Sequence, residues 1–343
     1  MPEGRSGASE FSALAREAER LLGARSVIKE PEQLRTYECD GLTGYRVRPA
    51  VVVLPETTQQ VRDCVALCNR AGAPFVARGA GTGLSGGSVP VADGMVISLA
   101  RMNRILELDL ESARVVVQPG VTNLDVTRAV RDRGFLYAPD PSSQQVCTIG
   151  GNVAENSGGA HCLKHGFTVN HVTGLEVVLP DASVVQLGGK SAEQPGYDLL
   201  GVFIGSEGTL GIATTVTVRL TRAPQRVTTL LAAFDSVGAA GAAVSAVIAA
   251  GILAGAMEIM DRLTIEAVEG AVSADYPDAQ AVLIVDLDGT DEQVADDADR
   301  VEALCWDAGA STIRVANDED ERARVWKGRK AAFAAVGRIS PDY

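Results

Sequence analysis

The sequence predicts an α+β protein built in two parts, each with helices laid on a sheet. Three observations carry this. Short Val- and Ile-rich runs alternate with capped helical patterns, first over residues 50–220 and again over 228–315. At Pro224 the texture changes from glycine-rich and irregular to a regular strand–helix alternation. The chain has 343 residues, 46% of them apolar and 22% charged, which excludes collagen, a coiled coil and disorder throughout and leaves room for about two domains. A boundary near 222 divides it into 1–222 and 223–343.

Residues 10–22 have the period of an amphipathic helix. Ala50–Leu54 is a buried strand, and Thr57 or Thr58 caps a helix to about Arg70. Phe75–Arg78 is the next strand, followed by a glycine-rich loop over 79–88. Met95–Leu99, Ile105–Asp109 and Arg114–Gln118 are short strands, and Thr122 caps a helix to about Arg133. Residues 138–170 read as one long polar loop, a kind that is usually functional. Leu175–Leu179 and Val184–Leu187 form a hairpin turning at Pro180-Asp181, and Gly211–Leu220 is a Thr/Val strand. After the boundary come strands 228–234, 256–260, 281–287 and 312–315, alternating with helices 237–250, 262–270 and 291–308. A last helix runs from Asp318 to about Val336.

Acidic residues outnumber basic ones, 44 to 31, for a net charge of −13, which disfavours nucleic-acid partners. Six scattered cysteines without a CxxC make zinc or iron–sulfur ligation a weak reading and suggest a reducing, cytoplasmic compartment. The N-terminus lacks a signal-peptide pattern. Ser236–Met257 is 22 residues without a charge, long enough to span a membrane. It is mostly Ala and Gly, however, and reads as a helix packed by small residues, then a strand; no transmembrane segment is expected.

The loop after the second strand is the most informative segment. Arg78, Gly79, Ala80, Gly81, Thr82, Gly83, Leu84, Ser85 and Gly86 lead into Gly87 and Ser88, with five glycines in nine residues. Gly81-x-Gly83-x-x-Gly86 matches a dinucleotide fingerprint and Gly83-x-Ser85-x-Gly87 a nucleophile elbow. Both need a helix directly after the loop. Here Pro90, Gly94 and a strand follow, so neither fits. A Walker A loop fails as well, because Gly189-Lys190-Ser191 has Val184 where the first glycine belongs. What remains is either a wide turn or a backbone nest whose free amides wrap a pyrophosphate. Two further runs are polar and glycine-rich. One holds Pro139, Asp140, Ser142, Gly150, Gly151, Asn152, Asn156 and Gly158; the other holds Glu207 and Gly208 before the strand at Ile212.

Together, "ARGAGTGLSGG", "APDPSS", "TIGGNVAENSGG", "GLEVVLPD", "GYDL" and "GSEGTLGI" resemble the FAD-linked oxidase family with the vanillyl-alcohol-oxidase-type flavin domain. The likeness is greatest to its glycolate- and D-lactate-oxidising branch and runs from about residue 30 to the end. The resemblance implies two α+β subdomains, about 50–108 and 112–220, with FAD extended between them, and then a substrate or cap domain. It implies that the loop from Arg78 through Gly86 cradles the pyrophosphate. Pro139, Asp140, Ser142, Gly150, Gly151, Asn152, Asn156 and Gly158 would line the flavin and ribitol, and Glu207, Gly208 and Ile212 would close on the adenine or ribose side.

Some relatives attach flavin through a histidine in the first glycine loop. Thr82 stands there instead, and His161, His165 and His171 are the chain's three histidines, so FAD is expected to bind non-covalently. Lys164-His165-Gly166 departs from a familiar Lys-Tyr-Gly and leaves open whether His165 meets flavin. Trp326-Lys-Gly-Arg329 matches a WxxR whose arginine grips the substrate carboxylate; the plain alternative is a solvated helix charge. The expected substrate is a small 2-hydroxy acid, with another alcohol or an alkylglycerone phosphate as the alternative. Any iron–sulfur centre would lie on a separate electron-transfer subunit, through which the chain would sit peripheral to a membrane. The family's His-rich "HxGDGNxH" segment, which holds a metal and the base, is not found; no metal site is expected. Ser340-Pro-Asp-Tyr343 resembles the start of the next family strand, so an incomplete chain is expected, one that binds FAD but turns over poorly.

Overall fold

A computed structural model describes residues 7–190, 196–316 and 318–339, the first six by backbone alone. Ser191 and Ser340–Tyr343 lie outside the described residues. The chain forms two compact units: Met1–Gly158 with Phe167–Arg222, and Gly159–Gly166 with Ala223–Tyr343.

The first unit contains two main sheets. Helix α1 (Gly7–Leu22) precedes β1 (Val27–Ile28), α2 (Pro31–Leu34), β2 (Val51–Val53), α3 (Thr58–Ala71), β3 (Phe75–Arg78) and β4 (Met95–Ser98). These strands form a sheet in the order β1-β2-β4-β3, with β2 and β3 parallel to β4. Thr57 caps α3 by accepting from the Gln60 amide, and Gly72 ends it at φ 61°. The buried face of α3 carries Val61, Cys64, Val65 and Cys68. Burial pushes both thiols up to about 12, which makes them core residues rather than ligands.

The second sheet collects β5 (Ile105–Asp109), β6 (Arg114–Val117), β8 (Val172–Val178), β9 (Val184–Gly188) and β10 (Ile212–Arg219), antiparallel in the order β5-β6-β10-β8-β9. Between them run α4 (Asn123–Val130), β7 (Phe135–Leu136), α5 (Ile149–Glu155), α6 (Cys162–His165) and α7 (Leu199–Phe203), and β11 (Thr221–Arg222) pairs with β7. Two expectations change. Ile105–Asp109, placed with the first subdomain, pairs with β6 through a tight turn and so belongs to the second sheet. The stretch 138–170 is not one loop. It holds α5 and α6, whose helical character is hidden by Gly150-Gly151 and by their shortness.

The second unit is one antiparallel sheet with helices on both faces. Its elements are β12 (Arg226–Phe234), α8 (Val237–Ala249), β13 (Ala256–Asp261), α9 (Arg262–Val272), β14 (Ala281–Gly289), α10 (Asp291–Asp307), β15 (Ala310–Val315) and α11 (Glu319–Val336), with strand order β13-β14-β12-β15. Leu283, Val285 and Leu287 pack with α8 and α10, while Val282 and Ile284 pack with α9 and α11. Strand alternation carries the latter face onward to Asp286 and Asp288. The uncharged stretch at 236–257 resolves into α8, a turn and the start of β13, and no described helix is long and apolar enough to cross a membrane.

Candidate functional site

A cavity of about 340 Å³ lies in the first unit, within the size range of small-ligand pockets. Three chain segments form most of its wall, with Leu99, Pro119, Ser142 and Ser143 beside them.

The first is the loop after β3. Gly81 and Gly86 take φ 69° and 82°, angles that favour glycine. None of the amides from Gly79 to Ser88 donates to a backbone carbonyl among the described residues. Instead the loop's carbonyls are used: the Gly41 amide donates to Gly83 O at 3.0 Å. The buried Arg78 guanidinium is committed to the loop from behind, donating from Nη1 to Cys39 O at 2.8 Å and to Ser88 O at 3.3 Å. Its burial lowers its pKa.

The second segment is α5. Thr148 caps it by accepting from the Gly151 amide. A Cβ on Gly79 would stand 2.5 Å from Thr148 Oγ1, so loop and helix start touch backbone to side chain. A Cβ on Gly150 would meet Pro119 at 2.6 Å. Gly151 has only Thr148 near it, at 3.4 Å. Asn152 lines the cavity, but its side chain also braces the fold: Asn123 Nδ2 donates to its Oδ1 at 3.0 Å and to Pro139 O at 3.0 Å.

The third is the loop before β10. Its Gly205 and Glu207 amides donate to Val153 O and Ala154 O at the end of α5. Glu207 itself sits at φ 52°, a strained conformation for a side-chain-bearing residue. Glu155 reaches the first loop, where its Oε2 accepts from Ser85 Oγ at 3.2 Å. Burial raises the Glu155 carboxyl, the Ser85 bond opposes this, and the Glu207 and Asp40 carboxylates add to it.

Of the residues singled out in the sequence, Arg78 to Leu84, Ser142, Gly150, Gly151, Asn152, Glu207, Gly208 and Ile212 line the cavity. Ser85, Gly86, Pro139, Asp140, Asn156 and Gly158 do not. Ser85 is turned to Glu155, and the Pro139 carbonyl is taken by Asn123. Asn156 ends α5 at φ 48° and accepts from the Val169 amide. Sequence reading missed Thr148, Glu155 and Ser206. The Thr148 signal was a helix-capping threonine, obscured by the two glycines after it.

The wall fits FAD. Amides without partners suit a pyrophosphate, and glycines let backbone approach a flat ring. The Ser206 hydroxyl lines the cavity as a buried polar atom with no partner among the described residues, a position suited to a polar ligand group. No histidine lines the cavity among the described residues.

Arg329 belongs to the second unit, on α11. Its Nε donates to Glu258 Oε2 on β13 at 2.8 Å. One turn earlier, Trp326 Nε1 donates to Asp286 Oδ2 at 3.0 Å, and the Thr229 hydroxyl donates to the other oxygen of Asp286. His161 lies 3.5 Å from Asp286 Oδ2 with its ring against Trp326. His165 and Lys164 pair with Asp288 at 3.8 Å and 2.9 Å, so His165 is tied within the second unit. Burial would raise the Asp288 carboxyl, but these two neighbours outweigh it and hold it at about 2.

The nested α+β sheets and the glycine-walled cavity define a flavoprotein fold of the vanillyl-alcohol-oxidase type. Residues 49–188 match the FAD binding domain and residues 223–343 the C-terminal domain of FAD linked oxidases. The chain belongs to the FAD-linked oxidase family, and FAD is its cofactor. It is 50% identical over 318 residues to Glycolate oxidase subunit GlcD of Escherichia coli (strain K12), covering 92% of this chain and 64% of that protein. It is 35% identical to D-lactate dehydrogenase of Anaerostipes hadrus over 85% of this chain and 63% of that one. The fold matches that of 4-ethylphenol oxidase from Gulosibacter chungangensis with a TM-score of 0.80 and 21% identity, over 99% of this chain and 74% of that chain. The chain thus spans just under two thirds of the length of these two sequence relatives.

Proposed function

We propose that this chain oxidises a small 2-hydroxy acid of the glycolate or D-lactate type. The observation that carries the reading is its 50% identity to a glycolate oxidase subunit, in a chain that also has the cavity described above. Bound FAD supplies a ring that accepts hydride from the carbinol carbon. The residues from Gly79 to Leu84 hold the pyrophosphate through their amides, with the Arg78 charge behind them. Gly150 and Gly151 approach the ring and ribitol, and Glu207, Gly208 and Ile212 close the adenosine side. The Ser206 hydroxyl adds a hydrogen bond. With Thr82 in the loop and no histidine on the wall, the cofactor binds reversibly. Arg329 binds and orients the substrate carboxylate.

The relative's name as a subunit supports assembly with other chains, and we place the electron acceptor on a separate iron–sulfur subunit. Six free cysteines support a cytoplasmic location, peripheral to the membrane through that partner.

The test is direct. Purified protein should release free FAD on acid denaturation, and anaerobic D-lactate or glycolate should bleach its flavin band. FMN, or flavin that stays with the precipitate, would overturn the cofactor assignment. FAD-loaded protein bleached by none of D-lactate, glycolate and D-2-hydroxyglutarate would leave flavin binding without turnover as the function.

A further inference from the structure

We infer that Glu258 is a positioning residue: it holds Arg329 by one edge and thereby aims the rest of the guanidinium at a substrate carboxylate. The inference rests on the reading of Arg329 as the carboxylate-binding residue and adds what makes that residue competent.

The backbone beneath Arg329 is fixed first. The Tyr276 hydroxyl donates to Val325 O on α11. Gly328 packs so closely that a Cβ there would overlap the Tyr276 hydroxyl and meet Ala274 Cβ at 2.7 Å. Trp326 is bonded to Asp286, which is 3% exposed and held by Thr229 as well. Residues 325, 326 and 328 therefore cannot slide along the sheet. What remains free at 329 is the long side chain, which has rotamer entropy to lose on binding a ligand.

Glu258 removes most of that freedom. It projects from β13, opposite Ile284 on β14. It accepts from Arg329 Nε alone. A guanidinium presents five N–H groups in a rigid fork, and its two terminal nitrogens together match a carboxylate. Among the described residues nothing accepts from those terminal nitrogens. The Arg329 and Glu258 side chains are 33% and 21% exposed, so a small anion can reach the fork. Because Glu258 already balances the charge, affinity for a second carboxylate depends on fork geometry more than on net charge. A lysine at 329 has donors for both partners but not the rigid fork that matches a carboxylate in two places while its edge is held.

The test uses the FAD-loaded chain with oxalate as a non-oxidisable carboxylate probe. Binding is followed by calorimetry and by Trp326 fluorescence in a Trp306→Phe background. The parent should bind oxalate and Arg329→Met should not. Glu258→Ala should weaken binding by about tenfold, the scale of one well-aimed charged hydrogen bond, while Glu258→Gln, whose amide oxygen can still accept from Nε, stays within about threefold. Arg329→Lys should be as poor as Arg329→Met, and this holds as a test even if Glu258→Ala melts early. If Glu258→Ala binds oxalate as well as the parent or more tightly while Arg329→Met has lost it, Glu258 is a competitor or bystander and the inference is wrong. A parent that ignores oxalate, or one matched by Arg329→Met, removes the Arg329 reading itself.

Discussion

The wall of the cavity in the first unit is built from backbone, and the polar face of the second unit is built from side chains. The cavity draws mainly on three runs, around 78–84, 148–155 and 206–212, which present glycines and backbone to it. The second unit gathers His161, Lys164, Thr229, Glu258, Asp286, Asp288, Trp326 and Arg329 from five elements and the turn before α6. A backbone-built site needs particular residues mainly where a Cβ would intrude. A side-chain-built face needs each member's partner. The two should therefore fail differently, and substitutions can separate them.

The largest effect is expected at Gly83. A Cβ there would find only Glu155 nearby, 3.5 Å from its Oε1, so the protein has room for it, whereas a pyrophosphate held as proposed would not. Gly83→Val should fold with unchanged melting of the second unit. It should weaken FAD by about a hundredfold or more, the scale of losing two amide bonds to a charged group, as read by equilibrium dialysis.

The mirror experiment is Asp286→Ala. It strands the buried Thr229 hydroxyl and removes the partner of the half-buried Trp326 indole. We expect a loss of about 2–3 kcal/mol in denaturant unfolding followed by Trp326 fluorescence, with FAD affinity little changed. A large loss of FAD affinity here would erase the distinction between the two regions.

Asp288 sharpens the comparison through pH. Its carboxyl is held at about 2, below its ordinary value of 3.8. A depressed carboxyl stabilises the folded chain above its unfolded pKa, and the stabilisation disappears as pH falls through its folded one. Acid unfolding should therefore show a loss of up to about 2 kcal/mol between pH values of about 4 and 2. Asp288→Asn should lack that slope and be less stable at pH 7.

Glu155 provides the smallest effect and the opposite sign. Its carboxyl is raised, so ionisation at neutral pH opposes folding. Glu155→Gln should raise the melting temperature by about 1–3 °C at pH 7 and by less at pH 4, by calorimetry.

The same contrast explains what could be seen in the sequence. Strand-forming valine runs, the Thr57 and Thr122 caps and the glycine loops announce themselves locally, because turn geometry and backbone approach restrict residue type at adjacent positions. The family motifs lie in these runs for the same reason. Arg329 could be named from its WxxR, but not Glu258, 71 positions away in sequence, since nothing near Glu258 marks it as a partner. Helix α5 was hidden because its Gly150 and Gly151 answer to Pro119 and the cavity rather than to helix propensity. The register of β5 with β6 depended on a tight turn that its residues do not signal.

The segment Gly159–Gly166 leaves the first unit, joins the second, and returns at Phe167. Covalently, the two units are therefore stitched at three points rather than hinged on one linker. A single protease nick between 222 and 223 leaves residues 159–166 of the second unit on the first unit's fragment. The molecule therefore cannot be halved at residue 222 for separate expression. The C-terminal half would lack His161, Lys164 and His165 and leave the acidic pair on β14 without these partners, so complementation from fragments has to carry residues 159–166 along with the second half.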